Sequence, residues 1–474
     1  MRYPLFGMGQ GGKSLTVTDE SYSNMYAEVS DDPDKINVAF YNRHGLDLFI
    51  SFGDTPCRGA LELNDFLYIV HRGTLYQINN AGVKTALGTL STTTGRVSLA
   101  TNGNTIQIVD GTGYYTYIVS TSTYAVGADA DFVPAKTNTW IDGYFITDQA
   151  ASTDKTKWNR YAWSLDGISY NALDFASAEA NPDPIVRVYN DNRELILFGQ
   201  FTTEFHASNG NLDLPFSRQS VAEWGLAARE TVAKMNNSII YLAKNRMGKT
   251  QVIVLNGYTP QAVSNKSMSA IIDSYGDVSN ASAFSFMQSG HPFYIISFPT
   301  VGKSWMYDAT TNIWSKVTYG LSETQYRGLF GATYSLLDKL MVFDYENGSV
   351  YSINQSSYSD NGTPYVCELT TRHVFDENYV TIARLIVDME TGVGLTPDDN
   401  GTNAGNNPQV MLKVSKNGGR TYAIERWASL GKIGQYLARV LFNRIGRGKD
   451  FVFKVRISDP VKRVVHGAYI DTSK

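Results

Sequence analysis

Near the start, Gly7-Met8-Gly9-Gln10-Gly11-Gly12-Lys13-Ser14 fits the phosphate-loop spacing GxxxxGK[ST] letter for letter. That spacing works when a buried strand leads into the loop and a helix leaves it, so that the helix N-terminus cradles phosphate. Only six residues precede Gly7, Pro4 among them, too few for a buried strand. Leu15-Thr16-Val17-Thr18 follows, and its β-branched alternation favours a strand over a helix. A glycine-rich arm is the expectation, with no bound cofactor. Asp398-Asp399-Asn400-Gly401 offers oxygen ligands of the kind calcium takes, without the spaced ligands and terminal Glu of an EF-hand. It reads as a solvated loop within the polar tract 397–408. The histidines, His44, His71, His206, His291, His373 and His466, show no HxH or HExxH spacing. Cys57 and Cys367 stand far apart with no CxxC, so no metal site is expected. Buried free thiols are the expected state of both, and a disulfide between them is not implied. No Gly-x-Ser-x-Gly turn marks a nucleophile. No catalytic residue is expected.

Ser415-Lys416-Asn417-Gly418-Gly419-Arg420-Thr421-Tyr422 carries more weight. It resembles the Asp-box hairpin of sialidases, S-x-D-x-G-x-T-W, with Asn and Tyr substituted. Ser164-Leu165-Asp166-Gly167-Ile168-Ser169-Tyr170 is a weaker echo. Such a box is a folding turn whose polar side chains satisfy backbone groups. Nothing in the chain identifies the carboxylate pair that glycoside hydrolysis needs.

The elements that would carry any such chemistry repeat. Seven segments share a polar turn, an apolar strand, a second turn and a second strand rich in Tyr or Trp. The turns fall at Asn64-Asp65, Asn102-Gly103, Asp142-Gly143, Asn190-Asp191, Asn236-Asn237, Ser289-Gly290 and Leu337-Asp338. The intervals between them are 38, 40, 48, 46, 53 and 48 residues. Asn, Asp and Gly tolerate the positive φ of tight hairpins. Runs such as Phe66-Leu67-Tyr68-Ile69-Val70 and Leu195-Ile196-Leu197-Phe198 have strand length, not helix length. A unit of this size, with room for about four strands, is a propeller blade. Ring closure also hides strand edges. The expectation is an all-β chain with a six- or seven-bladed β-propeller; stacked antiparallel sandwiches are the competing architecture.

Composition agrees. Of 474 residues, 43% are apolar but only 18% charged, and 30 Tyr, 22 Phe and 41 Gly suit pleated sheets joined by tight turns. Disorder would need low hydrophobicity and high net charge. No apolar run of about 18 residues exists, so no membrane span is expected. Met1-Arg2-Tyr3-Pro4 lacks a signal-peptide h-region, which points to folding in a reducing cytosol. Charge is uneven: residues 408–474 hold 14 Lys plus Arg against 4 Asp plus Glu, a balance of +10, so the rest of this −4 chain carries −14. The basic end suits an acidic partner surface, nucleic acid or plain solvation. The acidic remainder argues against sequence-specific DNA binding.

The domains expected are an N-terminal extended arm over 1–55, the propeller over 56–362 and a C-terminal β-sandwich platform over 363–474. The arm is turn-rich, as in Ser30-Asp31-Asp32-Pro33-Asp34, and the platform alternates, as in Val410-Met411-Leu412-Lys413-Val414 and Phe451-Val452-Phe453-Lys454-Val455-Arg456-Ile457.

Several short motifs carry a resemblance. They are Ser23-Asn24-Met25-Tyr26-Ala27, Arg160-Tyr161-Ala162-Trp163-Ser164-Leu165-Asp166-Gly167, Met306-Tyr307-Asp308-Ala309, Tyr326-Arg327-Gly328, Asn443-Arg444-Ile445-Gly446-Arg447 and Phe453-Lys454-Val455-Arg456. In this order and spacing the chain resembles the tail hub, or packaged-DNA stabilisation, proteins of lambdoid short-tailed bacteriophages. The resemblance is patchy but runs along most of the length. It implies a structural virion tail protein, not an enzyme, made and assembled in the host bacterial cytoplasm. It further implies a hexameric ring below the portal and its adaptor ring, holding a needle or plug beside tailspikes or fibres. Genomic DNA would pass through the channel without sequence-specific binding and be retained until ejection. Arg444, Arg447 and Lys449 in the basic end are the expected ring-docking contacts. The rival readings are a tail-associated propeller that binds or cleaves glycans, and a cellular kelch-like interaction protein.

Overall fold

The computed structural model describes residues 5–6, 20–29, 38–396 and 405–473. The phosphate-loop match at 7–14, the turn cluster at 30–34 and the acidic loop at 398–401 lie outside the described residues.

Strands flanked by a neighbouring sheet on both faces read as continuous apolar runs rather than alternating ones. That is the pattern here, because each four-stranded unit is a blade pressed between two others. Blade one is Cys57–Leu63, Phe66–His71, Thr74–Ile78 and Lys84–Thr89, in sequence order from the centre outward. Blades two to six span residues 98–126, 138–177, 185–222, 225–262 and 282–319. Blade seven takes three strands from 328–354 and its fourth from Gly45–Ser51. Six blades are sheets of their own, and blade six is fused into the sheet of the C-terminal domain. Neighbouring blades touch in succession around the ring, the last against the first, so the propeller has seven blades.

The inner turns explain the repeat. Asn64 and Asp65 take φ of 49° and 63°, Asp142 and Gly143 47° and 91°, and Ser289 and Gly290 51° and 82°. This left-handed backbone matches the twist of two-residue hairpins, which is why Asn, Asp and Gly recur there.

Each seam between blades has its own apolar cluster. Where blade seven meets blade one, Ile50, Leu67, Ile69, Met341, Phe343 and Val350 pack together, and Phe330 stacks on Phe343 at 4.2 Å. Each fully buried side chain of this size contributes about 1.5–3 kcal/mol. The seam between blades two and three is the small one, with Val109, Tyr114, Ala135 and Tyr170. Hydrogen bonds supplement it: Gln107 Nε2 donates to Gly167 O at 2.8 Å and to Tyr170 Oη at 2.7 Å. A short helix, Lys266–Asp273, caps the seam of blades five and six. Asn265 starts it by accepting from the Met268 N–H at 2.7 Å, and Met268 and Ile272, one turn apart, face the core.

The ring is closed by a strand from the other end of the chain. Gly45–Ser51 runs antiparallel to Ser349–Asn354, with Leu46 opposite Ile353 and Ile50 opposite Val350. Earlier residues go elsewhere. Met25–Val29 and Val38–Asn42 form a hairpin that joins the C-terminal strand Val464–Ser473.

The C-terminal domain is a β-sandwich whose two sheets share one 18-residue strand, Val440–Ile457. Its first part pairs with Val374–Met389; its last part pairs with Cys367–Thr370 and Gln409–Ser415. Bulges at Arg444 (φ 55°) and Gly446 (φ 105°) accompany the bend. Leu385, Phe442, Phe453, Val455 and Ile470 fill the space between the sheets.

Candidate functional site

A dense polar cluster lies where propeller and sandwich meet. Ser21–Ser23 pairs with Cys367–Thr370 of the sandwich on one side and, at Ser23, with Lys316 of blade six on the other. The next residue, Asn24, turns with φ 56° and ties three segments together. Its Nδ2 donates to Thr318 Oγ1 and to Val366 O, both at 2.7 Å, while its Oδ1 accepts from Thr318 N at 2.8 Å. Arg43 lies beside it with no solvent exposure. All its donor atoms are used. Nε donates to Asn24 Oδ1 at 2.9 Å; Nη1 to His44 O at 2.7 Å and Asp360 Oδ1 at 2.9 Å; Nη2 to Thr318 O at 3.0 Å and Asp360 Oδ2 at 2.6 Å. The guanidinium also stacks 3.9 Å over the Tyr365 ring.

Burial works against the Arg43 charge, but the Asp360 carboxylate more than offsets it and holds Arg43 above its ordinary value. His44, whose Nε2 meets Tyr326 Oη at 2.9 Å, is pushed down to about 3 by burial and then by Arg43. It is therefore neutral at physiological pH. A second arginine, Arg463, is also buried, and its guanidinium lies 4.6 Å over the Tyr365 ring. Its Nη1 reaches Cys367 Sγ at 3.4 Å. Cys367 and Cys57 are free and buried; burial raises both thiols, Cys57 to about 12. This knot ties the N-terminal segment, blades six and seven and the sandwich into one body. Two family-resembling motifs, at 23–27 and 326–328, converge on it.

Beside the knot is a cleft of about 280 Å³ lined by Trp305, Trp314, Lys316, Glu323, Glu368 and Lys454. It holds two carboxylates and two indoles, the raw material of a glycan site. Each carboxylate is already matched by cations, however. Arg456 bonds Glu323, and its Nε lies 3.1 Å from Glu368 Oε2. Lys454 Nζ reaches Glu368 Oε1 at 3.1 Å, and Lys316 Nζ lies 3.8 Å from Glu323. The indoles are also engaged: Trp305 Nε1 donates to Tyr275 Oη and Trp314 Nε1 to Val263 O. Chemically this is a clamp between domains, and Lys454 and Arg456 belong to the 453–456 motif.

Both box hairpins satisfy their own backbones. Asp166 Oδ1 accepts from Ile168 N and Ser169 N at 2.8 Å, and Ser164 Oγ accepts from Gly167 N at 3.0 Å. Burial raises the Asp166 carboxyl, but these N–H groups outweigh it and hold it below the usual carboxylate range. In the C-terminal box, Asn417 Oδ1 accepts from Thr421 N and Ser415 Oγ from Gly419 N, both at 3.0 Å. Among the described residues, no group of three His, Cys, Asp or Glu is placed to hold a metal ion, and no helix is long and apolar enough to cross a membrane.

Arg444, Arg447 and Lys449 all lie exposed on the long strand 440–457. Arg447 and Lys449 share one face, each about 5 Å from the ring of Tyr379, which is 60% exposed. Arg444 stands apart at the bulge, where Arg426 donates to the carbonyls of Asn443 and Arg444. Elsewhere on this domain Ile424, Trp427, Tyr436 and Leu437 are exposed, Ile424 and Leu437 above 90%. Sequence reasoning missed Tyr379 and the Arg43 knot. A lone aromatic in an exposed strand and a lone arginine between strands carry no spacing signal.

A closed propeller clasped by its own N-terminal strand and fused to a β-sandwich defines a two-domain, all-β protein. Residues 1–358 match the family model described as "Bacteriophage P22 Gp10, beta-propeller", and residues 366–473 match "Bacteriophage P22 Gp10, beta-sandwich". The chain belongs to this bacteriophage P22 Gp10 family, the tail hub proteins of short-tailed phages. No curated protein matches it. Among solved structures it is similar to the N-terminal domain of Nup159, at 8% identity and a TM-score of 0.40 over 70% of this chain and 98% of that one. An S. cerevisiae complex of Dbp5 bound to Nup159 gives 8% identity and a TM-score of 0.38 over the same shares.

Proposed function

We propose that this tail hub chain forms a ring, of six copies by the family resemblance, below the portal and its adaptor ring. The ring extends the DNA channel and retains the packaged genome until ejection. One observation carries the reading: propeller and sandwich are joined by a continuous sheet and by the buried knot around Arg43 and Asp360, which argues for a stiff body. A wall that resists a pressurised genome needs that stiffness. The exposed apolar residues Ile424, Trp427, Tyr436 and Leu437 supply surface for a neighbouring copy to cover. The basic pair Arg447 and Lys449 flanking Tyr379, with Arg444 exposed further back on the same strand, suits an acidic face of an adjoining ring. The −14 balance of residues 1–407 suits a channel that repels DNA phosphates rather than gripping them.

The test is nuclease protection of packaged DNA in particles from a phage lacking this gene. Heads that fill and then lose or expose their DNA support the reading. Particles that keep their DNA and fail only at host attachment refute it. Arg444→Glu, Arg447→Glu and Lys449→Glu together test the docking face, and undiminished assembly onto tails would remove it from the proposal.

A further inference from the structure

The axis of the propeller is not filled by apolar side chains. It holds a cavity of about 180 Å³ whose wall takes a residue from, or immediately before, the inner strand of every blade: Ala60, Ser98, Thr137, Arg187, Val232, Ala283 and Gly331. Three guanidinium groups converge there on one carboxylate. Arg229 Nε bonds Glu230 Oε1 at 2.8 Å, while Arg96 Nε and Arg187 Nη1 stop 3.6 and 3.7 Å from Glu230 Oε2. The last two are ion pairs beyond hydrogen-bond length. Arg187 makes one hydrogen bond among the described residues, Nη1 to Arg229 O at 2.9 Å. Arg96 Nε and Nη1 are buried and donate none.

Arg96 is nevertheless held in place. Its guanidinium stacks 3.7 Å over the Phe330 ring, and its loop is pinned by Arg58, whose Nη1 donates to Thr92 O and Nε to Gly95 O, both at 2.7 Å. The cluster thus carries three positive charges and one negative, an excess of +2, on side chains roughly three-quarters buried. Burial works most strongly against the Arg96 charge; Glu230 offsets part of that, and Arg187 and Arg229 add like-charge repulsion. Two positive charges are left uncompensated within the cluster, and two Arg96 donors are left without an acceptor.

We propose that this axial cavity binds a tetrahedral oxyanion, with inorganic phosphate the simplest member, held between Arg96 and Arg187. A phosphate dianion matches the +2 excess and supplies the acceptors that the guanidinium donors lack. At about 30 Å³ of liquid volume per water, the cavity has room for one such ion with a few waters. Because the arginines come from the loop before blade two and from blades four and five, a bound anion would also brace the ring across its centre.

The experiment titrates phosphate into the full chain at constant ionic strength, with chloride as the balancing salt, and follows thermal unfolding and calorimetric heat. A saturable rise in unfolding temperature with one site per chain is the expected result. Arg96→Met, which keeps apolar contact with Phe330, should weaken binding at least about tenfold, the worth of one charge-assisted bond. Arg187→Gln serves the same purpose should Arg96→Met not fold. Glu230→Gln removes the internal competitor and should tighten binding, a gain that a purely structural cluster would not give. No saturable shift, or equal shifts in the wild type and the arginine variants, would overturn the proposal. Neither outcome bears on the ring-forming role.

Discussion

Replacing Arg43 by Met should destabilise the whole chain, not one domain. The side chain is fully buried and makes five hydrogen bonds, two of them to Asp360, itself 2% exposed. Removing the cation strands the buried Asp360 carboxylate and takes a donor from the His44 and Thr318 carbonyls, while Asn24 Oδ1 keeps the Thr318 N–H. Breaking a buried ion pair from one side costs about 3–5 kcal/mol. Asp360→Leu should cost a similar amount, because it leaves the guanidinium uncompensated. The double variant is the informative one. Replacing both charges with apolar groups removes the desolvation penalty as well as the attraction. Its loss should fall below that of either single variant, a coupling of at least about 2 kcal/mol in a double-mutant cycle. Urea unfolding followed by tryptophan fluorescence reads this, since Trp305 and Trp314 line the neighbouring cleft. A single-variant cost below about 1 kcal/mol, or a double variant as unstable as the sum of the singles, would refute the claim that this pair welds the domains.

Other outcomes follow from the same geometry. His44 titrates near 3 in the folded chain against about 6.5 when unfolded, so stability is full above pH 6.5 and is lost as pH falls towards 3. In His44→Gln that slope should be shallower in unfolding curves taken from pH 7 to 4, with the part due to the depressed His71 remaining; an unchanged slope would count against it. A Cβ on Gly45 would lie 2.5 Å from Ser357 O, so Gly45→Ala should force the closing strand and the neighbouring 357–360 segment apart, costing about 1–3 kcal/mol. Limited proteolysis near residue 45 reads the opening, and wild-type resistance would oppose it. Asn417→Ala removes the acceptor of the Thr421 N–H and the donor to Thr421 Oγ1, and should cost about 1–2 kcal/mol by thermal unfolding without altering the propeller.

Much of the propeller was legible because its signal is local. Asn64-Asp65, Asp142-Gly143 and Ser289-Gly290 sit at inner hairpin turns, where positive φ selects those residues. The fourth turn shows the limit. Its left-handed residues are Asn192 and Arg193, two positions past Asn190-Asp191, because Asp191 already pairs with Glu194. The strand 45–51 has no such local marker. Its partner lies some three hundred residues away, and the chain around it offers only ordinary apolar residues. The same holds for the Arg43–Asp360 pair and for the axial arginines, each from a different part of the ring. The box hairpins were legible as folding turns because their hydrogen bonds close within a few residues.

The N-terminal clasp also sets a clock on biosynthesis. Gly45–Ser51 emerges from the ribosome early, yet its ladder partner, Ser349–Asn354, is made about three hundred residues later. At about 5–20 residues per second in translation, the clasp waits roughly 15–60 s as an unpaired strand. Ser21–Ser23 waits longer still, since one of its partners is Cys367–Thr370. Blades one to six can stack on one another as they appear, but the ring cannot close until residue 354 of 474 has been made. A fragment released before residue 354 therefore leaves its first strand and its last blade open to pairing with another chain.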